Sequence, residues 1–252
     1  MVKGLVVILM LKNENKYVYG PGDQKPEHTM LEQVLNHLHF CEHIIIADGM
    51  SDDGSDEVYK RYKNVKVFQQ ETPFNENNIL NSLLDYARKY TDSKWVLYLD
   101  GDEILENLAI LYIKKFIKFN DPAIRHTVRF GYMNLWRSRT KYRTDKFHDQ
   151  LSGKFFSLHP DLKSFGSAYN NHHFAFGTID NFGNIYNSKT YVVHYAWVDW
   201  NHIEKKYKQC VWMETELNKK DATEAENICK VILDEEGIRL NTLSKFDIDG
   251  DV

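Results

Sequence analysis

The chain has 252 residues, and its 32 basic and 36 acidic side chains leave a formal net charge of −4. This length is sufficient to bury a sizeable core, and the mildly acidic balance argues against nucleic acid as a partner, since phosphates attract basic surfaces. Aromatic residues make up 13% of the chain, which excludes a disordered protein. The three cysteines, Cys41, Cys210 and Cys229, form no Cys-x-x-Cys pair, so neither a disulfide framework nor a zinc site is predicted.

The longest apolar run is Leu5–Leu11, which is much shorter than the ~18 residues that a membrane-spanning helix needs. Polar residues 12–15 follow it directly, at the place where a secretory signal would carry a small-residue cleavage site. We therefore expect a soluble globular protein without a membrane span, located in the cytoplasm.

The first part of the chain alternates between short apolar runs and helical patterns. The predicted strands are Leu5–Leu11, Ile44–Ala47, Val65–Phe68 and Trp95–Leu99. Helices are predicted between them at residues 27–40, 55–62 and 77–90, mostly from apolar residues at helical spacing. This alternation predicts a parallel sheet with right-handed crossovers, in which ligands bind at the carboxyl ends of the strands.

The second part is less regular. A helix is predicted over Leu105–Phe119, and aromatic-rich segments follow it. Near the end of the chain, Asp221 and Glu224 resemble a capping box at the start of a helix that ends near Gly237. No repeat or Pro/Gly-rich linker divides the chain, so we expect one α/β domain over residues 1–252.

Polar clusters follow three of the predicted strands, at residues 12–15, 48–55 and 100–103. Because parallel strands end at the same edge of a sheet, these clusters are expected to converge. Asp100 and Asp102, separated by one glycine, offer the oxygen ligands that a hard divalent cation prefers. Such a cation would bridge the phosphates of a nucleotide and neutralise a departing diphosphate. An Asp-Gly turn after a strand is the alternative interpretation.

These stretches resemble the GT-A glycosyltransferases, and family 2 among them. Trp95–Glu103 (WVLYLDGDE) is similar to the metal-binding segment of the family, and Asp48–Ser55 (DGMSDDGS) to the acidic segment after its second strand. Leu11–Glu14 (LKNE) is similar to the Lys/Arg-Asn-Glu ending of its first strand. The resemblance covers about residues 3–105 and implies a GT-A-like (Rossmann-like) domain, with a mixed, mainly parallel central sheet, flanking helices and further helices at the C-terminus.

The resemblance also implies an activity. The protein would be a metal-dependent transferase that moves a sugar from a nucleotide-diphospho-sugar donor to a hydroxyl of a glycan or other small acceptor, as in glycan biosynthesis. Its cofactor would be Mn²⁺ or Mg²⁺. Residues 1–103 would form the nucleotide-sugar-binding half, residues 104–200 the acceptor half, and residues 201–252 the C-terminal helices. The donor base, the sugar, the acceptor and the oligomeric state stay open.

Roles for single residues on the donor side follow from the same resemblance. Asp48 would bind the base or ribose, with Glu14 near the same nucleoside; a turn residue before Gly49 is the alternative interpretation of Asp48. Asp102 would ligate the metal, and Asp100 would touch the ribose or the metal.

Two asparagines belong to the implied donor-binding set. Asn13 is part of the Lys-Asn-Glu ending, and Asn81 takes the place of the asparagine in an Arg-Asn pair that many members carry. Leu80 stands where the arginine would be, which leaves one phosphate contact open.

Three residues of the second half are further candidates. His194 follows the predicted strand Tyr191–Val193, and a late histidine completes the metal shell in several GT-A enzymes; imidazole suits manganese beside carboxylates. A core histidine bonded to backbone is the alternative.

An inverting transfer needs a base near the acceptor hydroxyl. Asp149 is the first candidate for this base, and His173, which stands where relatives carry an acid, is the second. Asp149 is also explained as a loop carboxylate, and a retaining enzyme would need neither residue.

Other functions stay open at this level. A sugar-phosphate nucleotidyltransferase usually needs a glycine-rich loop after its first strand, whereas no glycine follows Leu11 until Gly20. An inactive carbohydrate-binding protein of the same fold predicts a broken metal motif, but Asp100 and Asp102 are both present. A phosphohydrolase with an Asp-x-Asp nucleophile would want a hydroxyl side chain where Ile104 stands.

Overall fold

The structure is a computed structural model that describes residues 1–15, 28–70, 76–137, 141–144, 151–164, 183–197, 200–217, 219–230 and 240–242. The strands are β1 (Val2–Leu11), β2 (Cys41–Asp48), β3 (Val65–Gln69), β4 (Trp95–Asp100), β5 (Glu103–Leu105), β6 (His126–Trp136), β7 (Lys141–Arg143), β8 (Leu151–Ser157), β9 (Asn184–Trp197) and β10 (Leu240–Thr242). The α-helices are α1 (Met30–His37), α2 (Ser55–Tyr59), α3 (Glu76–Tyr90), α4 (Asn107–Phe119), α5 (Trp200–Trp212) and α6 (Ala222–Cys229). A 3₁₀ turn (Leu38–Phe40) follows α1, and a π-helical turn (Met213–Leu217) follows α5.

Within the described residues the strands form one mixed sheet. Its path runs β10-β7-β6-β8-β4-β1-β2-β3, and β9 joins it by pairing with both β6 and β5. The strands β3, β2, β1 and β4 are parallel to one another, whereas β8 is antiparallel to both β4 and β6. The predicted α/β class, with a parallel first half and flanking helices, is therefore confirmed.

Strand β1 is buried on both faces, which explains its continuous apolar sequence. Leu5, Val7 and Leu9 pack into one core cluster together with residues of α1 and α4. Val6 and Ile8 point to the other face and pack with residues of α3. All five side chains are completely buried, so β1 forms the centre of the sheet.

The register of the parallel strands brings their carboxyl ends to one edge. Leu11 pairs with Asp48 on β2, and Met10 pairs with Asp100 on β4. The polar segments that follow these three strands therefore begin next to each other, as the alternation of strands and helices predicts.

The helix predicted over Leu105–Phe119 begins two residues later than expected. Residues Glu103–Leu105 form β5, which pairs antiparallel with β9, and α4 begins at Asn107 after the N-cap residue Glu106. The Glu106 Oε1 atom accepts a hydrogen bond of 2.7 Å from the backbone N–H of Tyr191 on β9. A local pattern cannot show this partner, because it is distant in the sequence.

Helix α6 begins as predicted. Asp221 is its N-cap, and the Asp221 side chain accepts a hydrogen bond of 2.9 Å from the backbone N–H of Glu224. The predicted end of the helix near Gly237 lies outside the described residues.

A disulfide joins Cys210 on α5 to Cys229 on α6, so the expectation that the cysteines form no disulfide is wrong. The Cα atoms of the pair are 6.0 Å apart although 19 positions separate them in the chain, because α5 and α6 pack together. Cys41 is the free cysteine, and it is buried.

In the part of the chain that the structure describes, no helix combines the length and the apolar character needed to cross a membrane. The cytoplasmic location stays a prediction, and the disulfide bears on it, since disulfides persist mainly in oxidising compartments.

Candidate functional site at the carboxyl edge of the sheet

Gly101, between the two aspartates, allows the end of β4 to lie directly against the segment after β1. A Cβ atom at this position would be 2.5 Å from Cδ2 of Leu11 and 2.9 Å from Cγ of Glu14. Real side chains do not approach this closely, so a residue larger than glycine would force the two segments apart. Glycine at this position therefore brings Glu14 beside the aspartate pair.

Asp102 and His194 form a buried pair at this edge, each with 7% of its surface exposed. Their Oδ1 and Nε2 atoms are 3.5 Å apart. The pairing of β5 with β9 supports this approach, because Glu103 lies opposite His194 in its register. Two ligands bound to one cation at ~2.1 Å lie ~3–3.5 Å apart, so this separation fits a shared metal ion.

Asn134 orients the imidazole of His194. Its Oδ1 atom lies 2.8 Å from Nδ1 of His194, and the two residues are neighbours in the parallel register of β6 and β9. In the tautomer whose Nδ1 proton is donated to Asn134, Nε2 carries the lone pair, and this atom lies 3.5 Å from Oδ1 of Asp102. Histidine ligands of metals are commonly held in this way by a hydrogen bond at the other ring nitrogen.

Asp100 has different surroundings from Asp102. Its Oδ1 atom accepts a hydrogen bond of 2.6 Å from the Tyr98 hydroxyl, and its Oδ2 atom lies 3.4 Å from Nζ of Lys154. Among the described residues, no group of three or more His, Cys, Asp or Glu side chains is arranged to hold a metal. The three predicted ligands thus come together as the Asp102–His194 pair, with Asp100 held by other partners.

Lys154 on β8 is a residue of this site that the sequence did not reveal. Its side chain is completely buried, and Nζ donates a hydrogen bond of 2.8 Å to Oε2 of Glu103. Nζ also lies 4.5 Å from the centre of the Tyr98 ring. A single lysine within a short strand usually indicates an exposed position, and no signal in the sequence indicates that this one is buried beneath the acidic segment.

The ammonium of Lys154 lies between two carboxylates, those of Asp100 and Glu103. Burial by itself lowers the pKa of Lys154, but the carboxylates of Asp100 and Glu103 outweigh that effect and hold the pKa well above its usual value. Burial also raises the pKa of Glu103, and the Lys154 ammonium opposes that rise. Lys154 is therefore the positive charge that permits two carboxylates to lie close together at the end of β4.

Asp48 lies at the same edge and organises its own loop. Only 1% of its surface is exposed, and its Oδ1 atom accepts a hydrogen bond of 2.7 Å from the backbone N–H of Ser51. Its Oδ2 atom accepts one of 2.7 Å from the Tyr59 hydroxyl. Burial and this hydrogen bond raise the pKa of Tyr59, so the hydroxyl stays a donor. Both oxygens of Asp48 thus have local donors, and its role toward a nucleoside stays a prediction.

The two predicted asparagines connect segments of the chain. The backbone N–H of Asn13 donates to Oγ of Ser51, and its side-chain oxygen accepts from the backbone N–H of Asp52, both at 2.9 Å. Asn81 exchanges two hydrogen bonds with the backbone of Ser164, at 2.8 and 3.2 Å. Asn13 therefore ties together the loops after β1 and β2, and Asn81 ties α3 to the segment after β8. Donor binding by either residue stays a prediction.

The two candidates for the catalytic base, Asp149 and His173, lie outside the described residues. Their role stays a prediction, without structural support or contradiction.

Comparisons with known proteins agree with this fold. The sequence model of the family described as "Glycosyl transferase family 2" matches residues 28–209. No curated protein sequence matches the chain. Residues 1–349 of Staphylococcus aureus TarS form a similar structure, with a TM-score of 0.50 and 17% identity over 91% of this chain and 70% of that one. At this identity the likeness establishes the fold.

Two further structures are similar at a lower level. TarS 1–349 in complex with UDP-GlcNAc has a TM-score of 0.49 and 16% identity, over 91% of this chain and 71% of that one. A cytidylyltransferase from Leptospira borgpetersenii has a TM-score of 0.47 and 14% identity, over 94% of this chain and 99% of that one.

Proposed function

This chain belongs to glycosyl transferase family 2, and we propose that it transfers a sugar from a nucleotide-diphospho-sugar to an acceptor hydroxyl with the help of a divalent cation. The observation that carries the proposal is the buried Asp102–His194 pair, which lies within the family match and at the ligand-binding edge of the sheet. The match also favours the transferase over the nucleotidyltransferase and phosphohydrolase alternatives. Release of the nucleoside diphosphate, measured below, distinguishes the transferase from an inactive protein of the same fold.

The cation would be held by Asp102 and His194. A carboxylate oxygen and an imidazole nitrogen 3.5 Å apart fit the ligand set of Mn²⁺. A bound cation would supply positive charge to the diphosphate that leaves during transfer. Asn134 keeps the Nε2 lone pair of His194 directed at the site, so the chain itself contributes a pre-oriented ligand.

The donor would lie along the ends of β1, β2 and β4. Asp100 keeps part of its carboxylate accessible, with 26% of the side chain exposed, and is placed to accept a hydrogen bond from a ribose or sugar hydroxyl. Glu14 lies against the same segment because of Gly101. The buried carboxylate of Asp48 would act mainly by holding the loop that lines the nucleoside end.

The acceptor side belongs to the later part of the chain in this proposal. Residues 1–103 would bind the nucleotide sugar, residues 104–200 would receive the acceptor, and residues 201–252 would add α5, α6 and the strand β10 to the same domain. If transfer inverts the anomeric carbon, Asp149 or His173 would take the proton from the acceptor hydroxyl.

The first experiment is a thermal-shift panel of UDP-, GDP-, CDP- and dTDP-sugars, each with and without MnCl₂. A donor that binds the folded protein raises its melting temperature by mass action. Release of the nucleoside diphosphate is then measured for every donor that gives a shift. We expect a manganese-dependent shift and nucleotide release for one base. Absence of a shift and of release for all four bases would contradict the proposed function.

A further inference from the structure

We propose that Lys154 is a positioning residue that gives the two aspartates of the Asp-Gly-Asp segment separate roles. It holds Asp100 as a hydrogen-bond acceptor for the donor and thereby leaves Asp102, with His194, to face the cation. The inference rests on the proposed function, and it names Lys154 as the residue that orients Asp100 in the donor site.

The topology explains how Lys154 reaches this position. Strand β8 is antiparallel to β4, and Phe155 pairs with Leu97 in its register. Lys154 precedes Phe155 and Tyr98 follows Leu97, so both residues lie toward the carboxyl edge of the sheet, and Nζ of Lys154 is 4.5 Å from the centre of the Tyr98 ring. From there its side chain extends beneath the acidic segment and is completely buried.

The contacts of Lys154 restrict the carboxylate of Asp100 from two sides. Nζ of Lys154 lies 3.4 Å from Oδ2, and the Tyr98 hydroxyl donates to Oδ1 at 2.6 Å. Glu103 holds the lysine in turn, since its Oε2 atom accepts from Nζ at 2.8 Å and from the backbone N–H of Asp100 at 2.9 Å. Because its side chain is buried, Lys154 has no access to a substrate and acts through Asp100.

The negative charge of residues 100–103 explains why the positively charged side chain of Lys154 is buried next to them. Asp100, Asp102 and Glu103 lie within four consecutive residues, and a nucleotide diphosphate adds further negative charge at the same edge. Like charges at such distances repel one another strongly where water is excluded. Lys154 offsets part of this charge from inside the protein, without occupying the face where the donor would bind.

The test must separate positioning from simple structural support. Lys154→Met alone leaves Glu103 buried without its cation, which is destabilising, so that single variant is not decisive. The double variant Glu103→Gln/Lys154→Met removes both charges of the pair, keeps the net charge of the chain, and keeps a side-chain oxygen for the Asp100 N–H. Replacing both partners of a buried pair is often tolerated. The control is Glu204→Gln/Lys208→Met, the same exchange in an exposed pair on α5.

The measurement is the dissociation constant of Mn²⁺ alone, by electron paramagnetic resonance, for each background with and without Asp100→Asn. If Lys154 holds Asp100 away from the cation, Asp100→Asn changes the constant less than ~3-fold in the wild type and in the control. In the double variant the released Asp100 becomes a ligand, so Asp100→Asn weakens binding ~10-fold or more. The donor KM of the double variant should also rise ~10-fold while its melting temperature stays near that of the wild type.

Two results would overturn the inference while the proposed function stands. One is an equal effect of Asp100→Asn in both backgrounds. The other is a double variant that folds and retains the donor KM of the wild type. A wild-type protein that releases no nucleoside diphosphate from any donor would overturn the proposed function, and the inference with it.

Discussion

Nε2 of His194 lies 3.5 Å from Oδ1 of Asp102, although the two residues belong to distant parts of the chain. Strand β9 carries the histidine to this edge by pairing with β5 and β6 at once. The second half of the chain therefore contributes His194 to the candidate site at the strand ends of the first half.

Asp102→Asn should reduce sugar transfer at least ~100-fold, because an amide holds a cation much less well than a carboxylate and ~2.7 kcal/mol of barrier corresponds to that factor. The measurement is the initial rate of nucleotide release at saturating Mn²⁺. The control is Asp92→Asn, an exposed carboxylate before β4, which should keep the wild-type rate. A fully active Asp102→Asn variant would show that Asp102 holds no cation.

Asn134→Leu should raise the Mn²⁺ concentration for half-maximal activity by ~10–100-fold, the usual cost of losing the partner that orients a histidine ligand. Asn134→Asp keeps an acceptor for the Nδ1–H of His194 and should restore most of the affinity. If the two variants have the same metal dependence, the hydrogen bond to Asn134 does not orient His194.

Gly101→Ala should destabilise the fold by ~1–3 kcal/mol, since its Cβ would be 2.5 Å from Cδ2 of Leu11. Urea unfolding measures this loss. Leu11→Ala removes the closest clashing atom but is itself destabilising, because Leu11 is buried in the core. The cost of Gly101→Ala should therefore be smaller in a Leu11→Ala background than in the wild type, as a double-mutant cycle measures. Gly49→Ala is the comparison, because its nearest foreign atom would be 3.2 Å away and belongs to the side chain of Lys12. Equal costs at the two glycines would contradict a specific clash at Gly101.

His37 should make stability depend on pH. Burial lowers the pKa of His37 from 6.5 to about 4, so the folded state favours the neutral ring. The stability that this provides is complete above pH 6.5 and is lost as the pH falls toward 4, because the unfolded chain takes up the proton first. From pH 7.5 to 5 the loss should be about 1–2 kcal/mol.

The measurement is urea unfolding at several pH values. His37→Gln should lose less stability than the wild type over this interval, because glutamine takes up no proton. If the curves of the wild type and His37→Gln are parallel, burial of His37 does not affect the acid response.

The Cys210–Cys229 disulfide should stabilise the protein by about 3 kcal/mol, as expected for a closed loop with a sequence separation of 19. Dithiothreitol should lower the melting temperature of the wild type and have no effect on a Cys210→Ser/Cys229→Ser variant. Thiol labelling of the unfolded, unreduced protein should find one free cysteine, Cys41. Labelling of all three would show that the bridge is not formed.

The runs of apolar and polar residues in the sequence were enough to predict the parallel strands of the first half and the edge at which they end. The apolar runs of β1, β2 and β4 and the polar residues behind them predict parallel strands with a functional edge, because strand burial and turn chemistry depend on neighbours in the sequence. Strands β1 to β4 agree with the predicted ones apart from their ends, whereas β5 to β8 and β10 have no predicted counterpart. The resemblance to family 2 rests on the same segments, and the family match confirms it.

Tertiary structure alone decided which side chains meet at that edge. Lys154 reaches the acidic segment because β8 is antiparallel to β4, and Asn134 reaches His194 because β6 lies beside β9. The Cys210–Cys229 bridge likewise depends on the packing of α5 against α6. Each of these contacts joins residues that are distant in the chain, so it depends on sheet register and helix packing. The spacing of apolar residues along a strand (every second residue) or a helix (every 3.6 residues) shows which side of one element is buried, but it does not show which other element packs there.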